Sequence, residues 1–138
     1  MSDATTSSRA LQCVIVTPEA TVREGSAQYV AVPLFDGELG IAPLHAPMIG
    51  RLGFGELRIL DGGKTERLYV DGGFVQVTGN TVYILTNRAI PAEKLDQRAA
   101  EEQLKTARTK PANTAELLAV RERQVSQARA QLRVAQRT

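Results

Sequence analysis

Glycine is confined to one part of this chain. All eleven glycines lie between Gly25 and Gly79. Up to about residue 90 the chain consists of short β-branched runs separated by Gly, Pro, Asp and Asn, whereas after Pro91 it is rich in residues that favour helices. The sequence therefore predicts an α+β protein, in which residues 1–90 form a β domain and residues 91–138 form a helical tail.

The β domain shows alternating apolar residues at regular intervals, which is the pattern of strands with one buried face. Turn residues separate the alternating pairs, and between Asp61 and Lys64 two glycines supply the positive φ of a tight hairpin. About eight or more such strands predict a β-sandwich or flattened barrel. The pairs are Cys13 and Ile15, Leu57 and Ile59, Leu68 and Val70, Val75 and Val77, and Val82 and Ile84.

Two of these runs, residues 14–16 and 82–85, are apolar on both faces. Such a strand is either covered on both faces within its own domain or docked on another protein through its outer face. The sequence leaves both alternatives open. Gly72 and Gly73 predict a bulge or a turn between strands, with no ligand.

The tail is predicted to form two antiparallel helices. Pro91 fits the first turn of one helix, which runs to Thr109, and residues 113–116 open a second helix that runs to about Arg137. Leu95 and Leu104 are the only large apolar residues of the first helix. This thin stripe predicts a hairpin that rests on the sandwich or on a partner, and that moves between the two.

The net charge of +2 is unevenly distributed. Residues 1–90 carry seven basic and nine acidic side chains, whereas residues 110–138 carry six basic and two acidic ones. A basic final helix indicates a partner that is an acidic protein surface, a nucleic acid or an anionic membrane. Aromatic residues make up only 4% of the chain, with no Trp, which leaves little for base stacking.

Several kinds of site are not predicted. One His and one Cys are too few for a metal cluster, and Gly50, Gly53 and Gly55 lack the spacing of a phosphate-binding loop. The sequence predicts no cofactor and no catalytic residues. The lone Cys13, the absence of a long apolar run and the polar first ten residues predict a soluble, unsecreted protein in a reducing compartment.

Three motifs in order resemble the epsilon subunit of the F-type ATP synthase. Residues 37–47 read G-E-L-G-I-A-P-L-H-A-P and residues 72–82 read G-G-F-V-Q-V-T-G-N-T-V. They match the family patterns G-E-L-G-I-x-P-x-H-A-P and G-G-F-x-x-V-x-x-N-x-V. Residues 130–134, A-Q-L-R-V, are similar to the family's second helix. The resemblance runs from about Leu11 to Val134.

The resemblance implies a non-catalytic rotor subunit that couples the catalytic head to the membrane ring of c subunits. The sandwich would contact the gamma subunit and the ring, and the tail would inhibit ATP hydrolysis when it extends along gamma. The implied location is peripheral, at the cytoplasmic face of a bacterial inner membrane, with no nucleic acid bound. Glu38, Gly40 and His45 match the loop that docks on gamma and the ring. Leu44 stands where the family usually has Gly, which predicts a different backbone path before His45.

The resemblance also supplies a target for the basic helix, namely an acidic segment of the catalytic beta subunits. The four candidate residues are Arg121, Arg123, Arg129 and Arg133, and the competing interpretation is a solvated face. Residues 95–99 approach the ATP-binding pattern I/L-D-x-x-R-A but are one residue short, so ATP binding by the tail is not predicted. The alternative function is a nucleic-acid-binding module, which the acidic β domain and the scattered aromatic residues disfavour.

Overall fold

The computed structural model describes residues 10–137, in which a β-sandwich of eight strands is followed by two helices. The predicted α+β class and the helical hairpin are confirmed. The elements are β1 (Leu11–Val16), β2 (Thr21–Ala27), β3 (Tyr29–Leu34), β4 (Gly37–Ile41), β5 (Met48–Asp61), β6 (Lys64–Thr78), β7 (Thr81–Leu85), β8 (Ala89–Pro91), a 3-10 turn (Ala92–Lys94), α1 (Gln97–Arg108) and α2 (Ala115–Gln136).

The strands follow the order β2-β1-β7-β6-β5-β3-β4, and β8 pairs with β6. Strands β5 and β6 are the longest, and they pair antiparallel from Met48 opposite Val77 to Asp61 opposite Lys64. The predicted hairpin at Asp61 is therefore their connection. Only β1 and β7 pair in parallel within this sheet of the described residues.

Strand β6 changes partner at Gly72 and Gly73. Residues 68–70 pair with β8, and residues 74–78 pair with β7. The two glycines have φ of +73° and +104°, the left-handed region that glycine occupies at little cost. Of the predicted bulge or turn between strands, the turn is wrong: the two glycines bend a single strand, because residues on both sides keep the same register with β5.

The core lies between the two layers of the sandwich. All ten residues of the predicted alternating pairs are buried and belong to one apolar cluster. Burial raises the pKa of the Cys13 thiol to about 11, so this side chain behaves as a small apolar group.

The outer face of β5, β6 and β7 is not covered by the described residues. Phe74 lies opposite Leu85, and Gln76 lies between Ile49 and Tyr83, which places these side chains on one side of the sheet. Ile49 is 73% exposed and Phe74 is 56% exposed. For residues 82–85, the face that carries Tyr83 and Leu85 is therefore not covered within the described part of the domain, and docking on another protein stays a prediction.

The first helix of the tail begins later than predicted. Pro91 ends β8, and α1 starts where the Asp96 carboxylate accepts hydrogen bonds from the backbone N–H groups of Arg98 (2.9 Å) and Ala99 (3.2 Å). Thr114 caps α2 in the same way, because its hydroxyl accepts from the backbone N–H of Leu117 at 3.1 Å. Asp96, the acidic residue of the shortened ATP-binding pattern, thus serves as a helix cap.

Candidate functional site

The helical hairpin lies against the sandwich through α2, and α1 packs on α2. Ala130 and Val134 of α2 are buried with Tyr69 of β6, and Leu95 lies at the edge of this small cluster. Leu95 of the predicted apolar stripe thus contributes to the docked contact at its edge, whereas Leu104 is not part of this cluster. The apolar contact comes mainly from short side chains of the second helix, because they allow the helix to approach the sheet closely.

A buried carboxylate, Glu56 of β5, lies under the last turn of α2. Arg67 of β6 donates to its Oε2 through Nε at 2.9 Å and also through Nη2. Arg58 Nη1 and Arg137 Nη1 lie 3.4 Å and 3.5 Å from Oε1. Arg67 Nη2 also donates to the Val134 carbonyl at 3.3 Å. Arg67 therefore connects the buried carboxylate of the sandwich to the backbone of the helix.

A second buried carboxylate, Asp71 of β6, lies further along α2. The Tyr69 hydroxyl donates to Asp71 Oδ1 at 2.6 Å, and Gln127 Nε2 of α2 donates to the same oxygen at 3.0 Å. Arg88 Nε donates to Oδ2 at 3.2 Å. Burial and the adjacent Asp71 raise the pKa of Tyr69, so its hydroxyl remains protonated and continues to donate.

Glu56, Arg67, Asp71, Gln127 and Val134 are called the polar hairpin contact below. A buried ion pair gains little net stability, because the desolvation of both charges offsets their attraction. With the hairpin undocked, both carboxylates would be open to water. The contact therefore has the chemistry of a reversible one: it is specific in geometry but contributes only a modest free energy of docking.

The three predicted docking residues do not share one loop. Glu38 and Gly40 belong to β4 and pair with β3, so half of the predicted loop is strand. Glu38 Oε1 accepts from Arg58 Nη2 at 2.8 Å. A Cβ on Gly40 would overlap Tyr29 Oη, so a side chain at this position would displace the end of the exposed Tyr29 side chain. His45 is half-buried, with Nδ1 2.7 Å from the Ala46 carbonyl.

Residues 42–47 form the β4–β5 connection, which contains an unusual backbone conformation. Leu44 has φ +68° and is the only non-glycine residue of positive φ in residues 10–137. Its backbone N–H donates to Asn80 Oδ1 at 3.0 Å. The leucine thus adopts the left-handed conformation that glycine favours. Asn80 had no assigned role in the sequence, although it stands in the second motif.

The four arginines of the basic helix point in different directions. Arg121 and Arg129 line a groove on one side of the hairpin. Arg123 lines a cleft beside the bend of β6, and Arg133 lines a crevice that also contains Glu38. The ion pairs of the described chain are made by other arginines: Arg23, Arg58, Arg67, Arg88 and Arg137. The four charges are therefore available to a partner while the hairpin is docked.

Residues 10–137 offer neither a metal site nor a membrane-spanning helix. No group of three or more His, Cys, Asp or Glu side chains is placed to hold a metal ion. Neither of the two helices is long and apolar enough to cross a bilayer.

Known sequences match both parts of the chain. The profile of the family described as ATP synthase, Delta/Epsilon chain, beta-sandwich domain matches residues 10–92. A relative named ATP synthase epsilon chain from Rhodopirellula baltica is 47% identical over 123 residues, covering 89% of this chain and 96% of the relative. Another relative of that name, from Carboxydothermus hydrogenoformans, is 43% identical over 94 residues, covering 68% of this chain and 70% of the relative.

Solved structures share the fold. A chain of the Euglena gracilis mitochondrial ATP synthase, in an OSCP/F1/c-ring structure, gives a TM-score of 0.80 at 21% identity and covers 88% of this chain and 79% of that chain. A chain of the Tetrahymena thermophila mitochondrial ATP synthase, in a central stalk and c-ring structure, gives 0.72 at 16% identity, with coverage of 91% and 96%. At these identities the likeness concerns the fold alone. By the profile match and the sequence relatives, the chain belongs to the delta/epsilon chain family of ATP synthases.

Proposed function

We propose that this protein is the non-catalytic epsilon subunit of a bacterial ATP synthase central stalk, peripheral to the cytoplasmic face of the inner membrane. The observation that carries the proposal is the 47% identity to an ATP synthase epsilon chain over 96% of that relative's length. The likeness spans the sandwich and most of the tail, so both parts are assigned. The chain itself has no catalytic role in this proposal and contributes binding surfaces.

The exposed sheet face is proposed to contact gamma. An uncovered apolar surface on a sheet indicates an interface with another protein. Ile49, Phe74 and Leu85 form the centre of this face, and Arg51 stands at its edge opposite Phe74. Burying these side chains against gamma supplies the affinity that a rotor subunit needs. The membrane ring is then assigned to the β4–β5 connection, with His45, and to β4, with Glu38.

The hairpin is proposed to be the regulatory element. Its docked position depends on the polar hairpin contact, whose net free energy is small because two carboxylates must be desolvated. In the extended position the same helix places its arginines against acidic segments of the catalytic subunits. A two-position element of this kind responds to interactions of a few kcal/mol.

The assignment is tested by purifying the complex from solubilised membranes through an affinity tag on this chain. Gamma, the ring and the catalytic subunits are expected to copurify in constant proportion. Recovery of the chain without them would overturn the proposal. Nucleic-acid binding, which the unpaired arginines also permit, is tested on the same chain by filter binding. Tight binding that falls steeply with salt would favour that alternative.

The basic helix gives a functional prediction. Replacing Arg121, Arg123, Arg129 and Arg133 together with Gln is expected to raise ATP hydrolysis by the whole complex. Each exposed pair contributes about 0.2–1 kcal/mol, so three pairs contribute about 0.6–3 kcal/mol and shift the two-position equilibrium by about 3- to 150-fold. High salt should mimic part of the increase through screening. If complexes with the wild-type and the variant subunit hydrolyse ATP at equal rates at both low and high salt, the four arginines form a solvated face without a partner.

The domain division gives a second prediction. A variant that ends at Ala92 is expected to unfold cooperatively and to bind gamma, because the main apolar cluster lies entirely within the strands and their connections. Truncation removes the apolar contact of Ala130 and Val134. It leaves no buried unpaired charge, because Glu56 and Asp71 become hydrated. Circular dichroism during urea unfolding measures cooperativity. A truncated chain without a β spectrum would show that the hairpin is part of the core.

A further inference from the structure

We propose that Leu44 is an apolar anchor that inserts into a recess of the membrane ring, and that Asn80 is the positioning residue that holds it out. The inference rests on the proposed function, which assigns the β4–β5 connection to the ring. It adds a residue at which this chain departs from the family pattern, since that pattern usually has Gly at this position.

The backbone of Leu44 is held in a conformation that leucine disfavours. Its φ of +68° brings Cβ close to the carbonyl oxygen, a contact that glycine does not have. The side-chain oxygen of Asn80 accepts the Leu44 N–H at 3.0 Å, and the backbone carbonyl of Asn80 accepts the N–H of Gln12 at 2.7 Å. Asn80 therefore ties the connection to β1. Pro43 and Pro47 restrict the chain on either side.

The side chain of Leu44 gains nothing from this conformation in the isolated protein. It is 82% exposed, which makes it the most exposed large apolar side chain in the described residues 10–137. Strained backbone that is retained without an internal benefit is typical of functional contacts. An apolar side chain on a fixed backbone loses little conformational entropy on binding, so most of its burial appears as affinity.

The position of the connection leaves it free for the ring. It enters β5 at Met48, opposite Val77, at the end of the β5–β6 pairing furthest from the turn at Asp61. The polar hairpin contact lies between these ends, at Glu56 and Asp71. Leu44 can therefore remain in its partner while the hairpin docks and extends. The chemistry of the connection, one leucine beside one imidazole, fits an apolar recess with a polar rim.

The experiment titrates labelled full-length protein into ATP synthase that has been stripped of this subunit. Leu44→Gly is expected to bind about 10- to 100-fold more weakly, which corresponds to losing the burial of one leucine side chain. Its affinity for the ring-free head, which retains gamma, should equal that of the wild type. Its thermal unfolding midpoint should be equal or higher, because glycine accepts the left-handed backbone. Leu44→Met keeps the apolar reach and should bind nearly as well as wild type.

Asn80→Ala tests the positioning role. Hydrogen exchange at the Leu44 N–H should become faster. The affinity for the ring should also fall, because Leu44 is no longer held in position. In the Leu44→Gly background the same change should weaken ring binding no further, since the anchor is already absent.

The outcomes separate the two proposals. Equal ring affinity for wild type and Leu44→Gly would overturn the anchor while leaving the proposed function intact. Equal losses toward the complete complex and the ring-free head would also overturn it, since they would place Leu44 against gamma or elsewhere in the head. Failure of the wild type to bind either preparation would overturn the proposed function and the anchor with it. Should Leu44→Gly lower stability, Leu44→Asn, which keeps the left-handed preference and removes the apolar group, decides the case by the same titration.

Discussion

Replacement of Gly73 with alanine is expected to destabilise the protein by about 2–6 kcal/mol. Gly73 has φ +104°, which strains any residue with a side chain. A Cβ at this position would overlap the carbonyl oxygen of Leu85 and lie 2.9 Å from both Leu85 C and Thr86 Cα. These neighbours are backbone atoms of β7 and the residue after it. They cannot move aside without breaking the pairing between β6 and β7.

Gly79→Ala is the matched control for this substitution. Gly79 also has positive φ, at +59°, but its Cβ would meet nothing within 4 Å. Gly79→Ala should therefore lower the free energy of unfolding by about 1–2 kcal/mol, which reflects backbone strain alone. Urea unfolding followed by circular dichroism measures both variants. Equal decreases in the free energy of unfolding for the two variants would contradict the prediction. They would show that the bend of β6 accommodates a side chain next to the Leu85 carbonyl.

The fold was accessible from the sequence because alternation of apolar residues reports burial directly. The pairs from Cys13 and Ile15 to Val82 and Ile84 are buried without exception. Two of the errors lie where glycine occurs in strands. The resemblance predicts a loop at Glu38 and Gly40, whereas both lie in β4, where the end of the Tyr29 side chain lies close against Gly40. That close approach is a tertiary contact and has no local signal.

The polar hairpin contact was missed for a related reason. A carboxylate within an alternating strand is normally solvent-facing, and Asp71 next to Gly72 has the composition of a turn. Part of the surroundings of Glu56 and Asp71 comes from the tail, since Arg137 approaches Glu56 and Gln127, 56 residues away along the chain, donates to Asp71. The family resemblance located Glu38 and His45, but only the structure shows that Glu38 is paired with Arg58 in a strand and that His45 is half-buried in a connection.

Replacement of Arg67 with methionine is expected to release the hairpin from the sandwich. Removing one partner of a buried pair leaves the other charge uncompensated, at a typical cost of about 3–5 kcal/mol. Arg58 and Arg137 still approach Glu56, so the lower end of that range applies here. The protein avoids this cost by letting α2 move away, because Glu56 then regains water. The observable is therefore undocking of the helix while the sandwich remains folded.

Undocking is measured by hydrogen exchange of the α2 backbone and by the rate of tryptic cleavage in the tail, both of which should rise while exchange in β5 and β6 remains slow. The control is the double variant Glu56→Leu with Arg67→Met. It removes both charges together and replaces them with apolar groups of similar size, a change that is nearly neutral or stabilising at buried pairs. The double variant should therefore return the hairpin to the sandwich, although the single variant does not.

In the whole complex, the single variant should hydrolyse ATP more slowly than the double variant, because a released hairpin is free to extend toward the catalytic subunits. If hydrogen exchange in α2 is as slow in Arg67→Met as in the wild type, Arg67 does not control docking. Ala130, Val134 and Gln127 would then hold the helix without it.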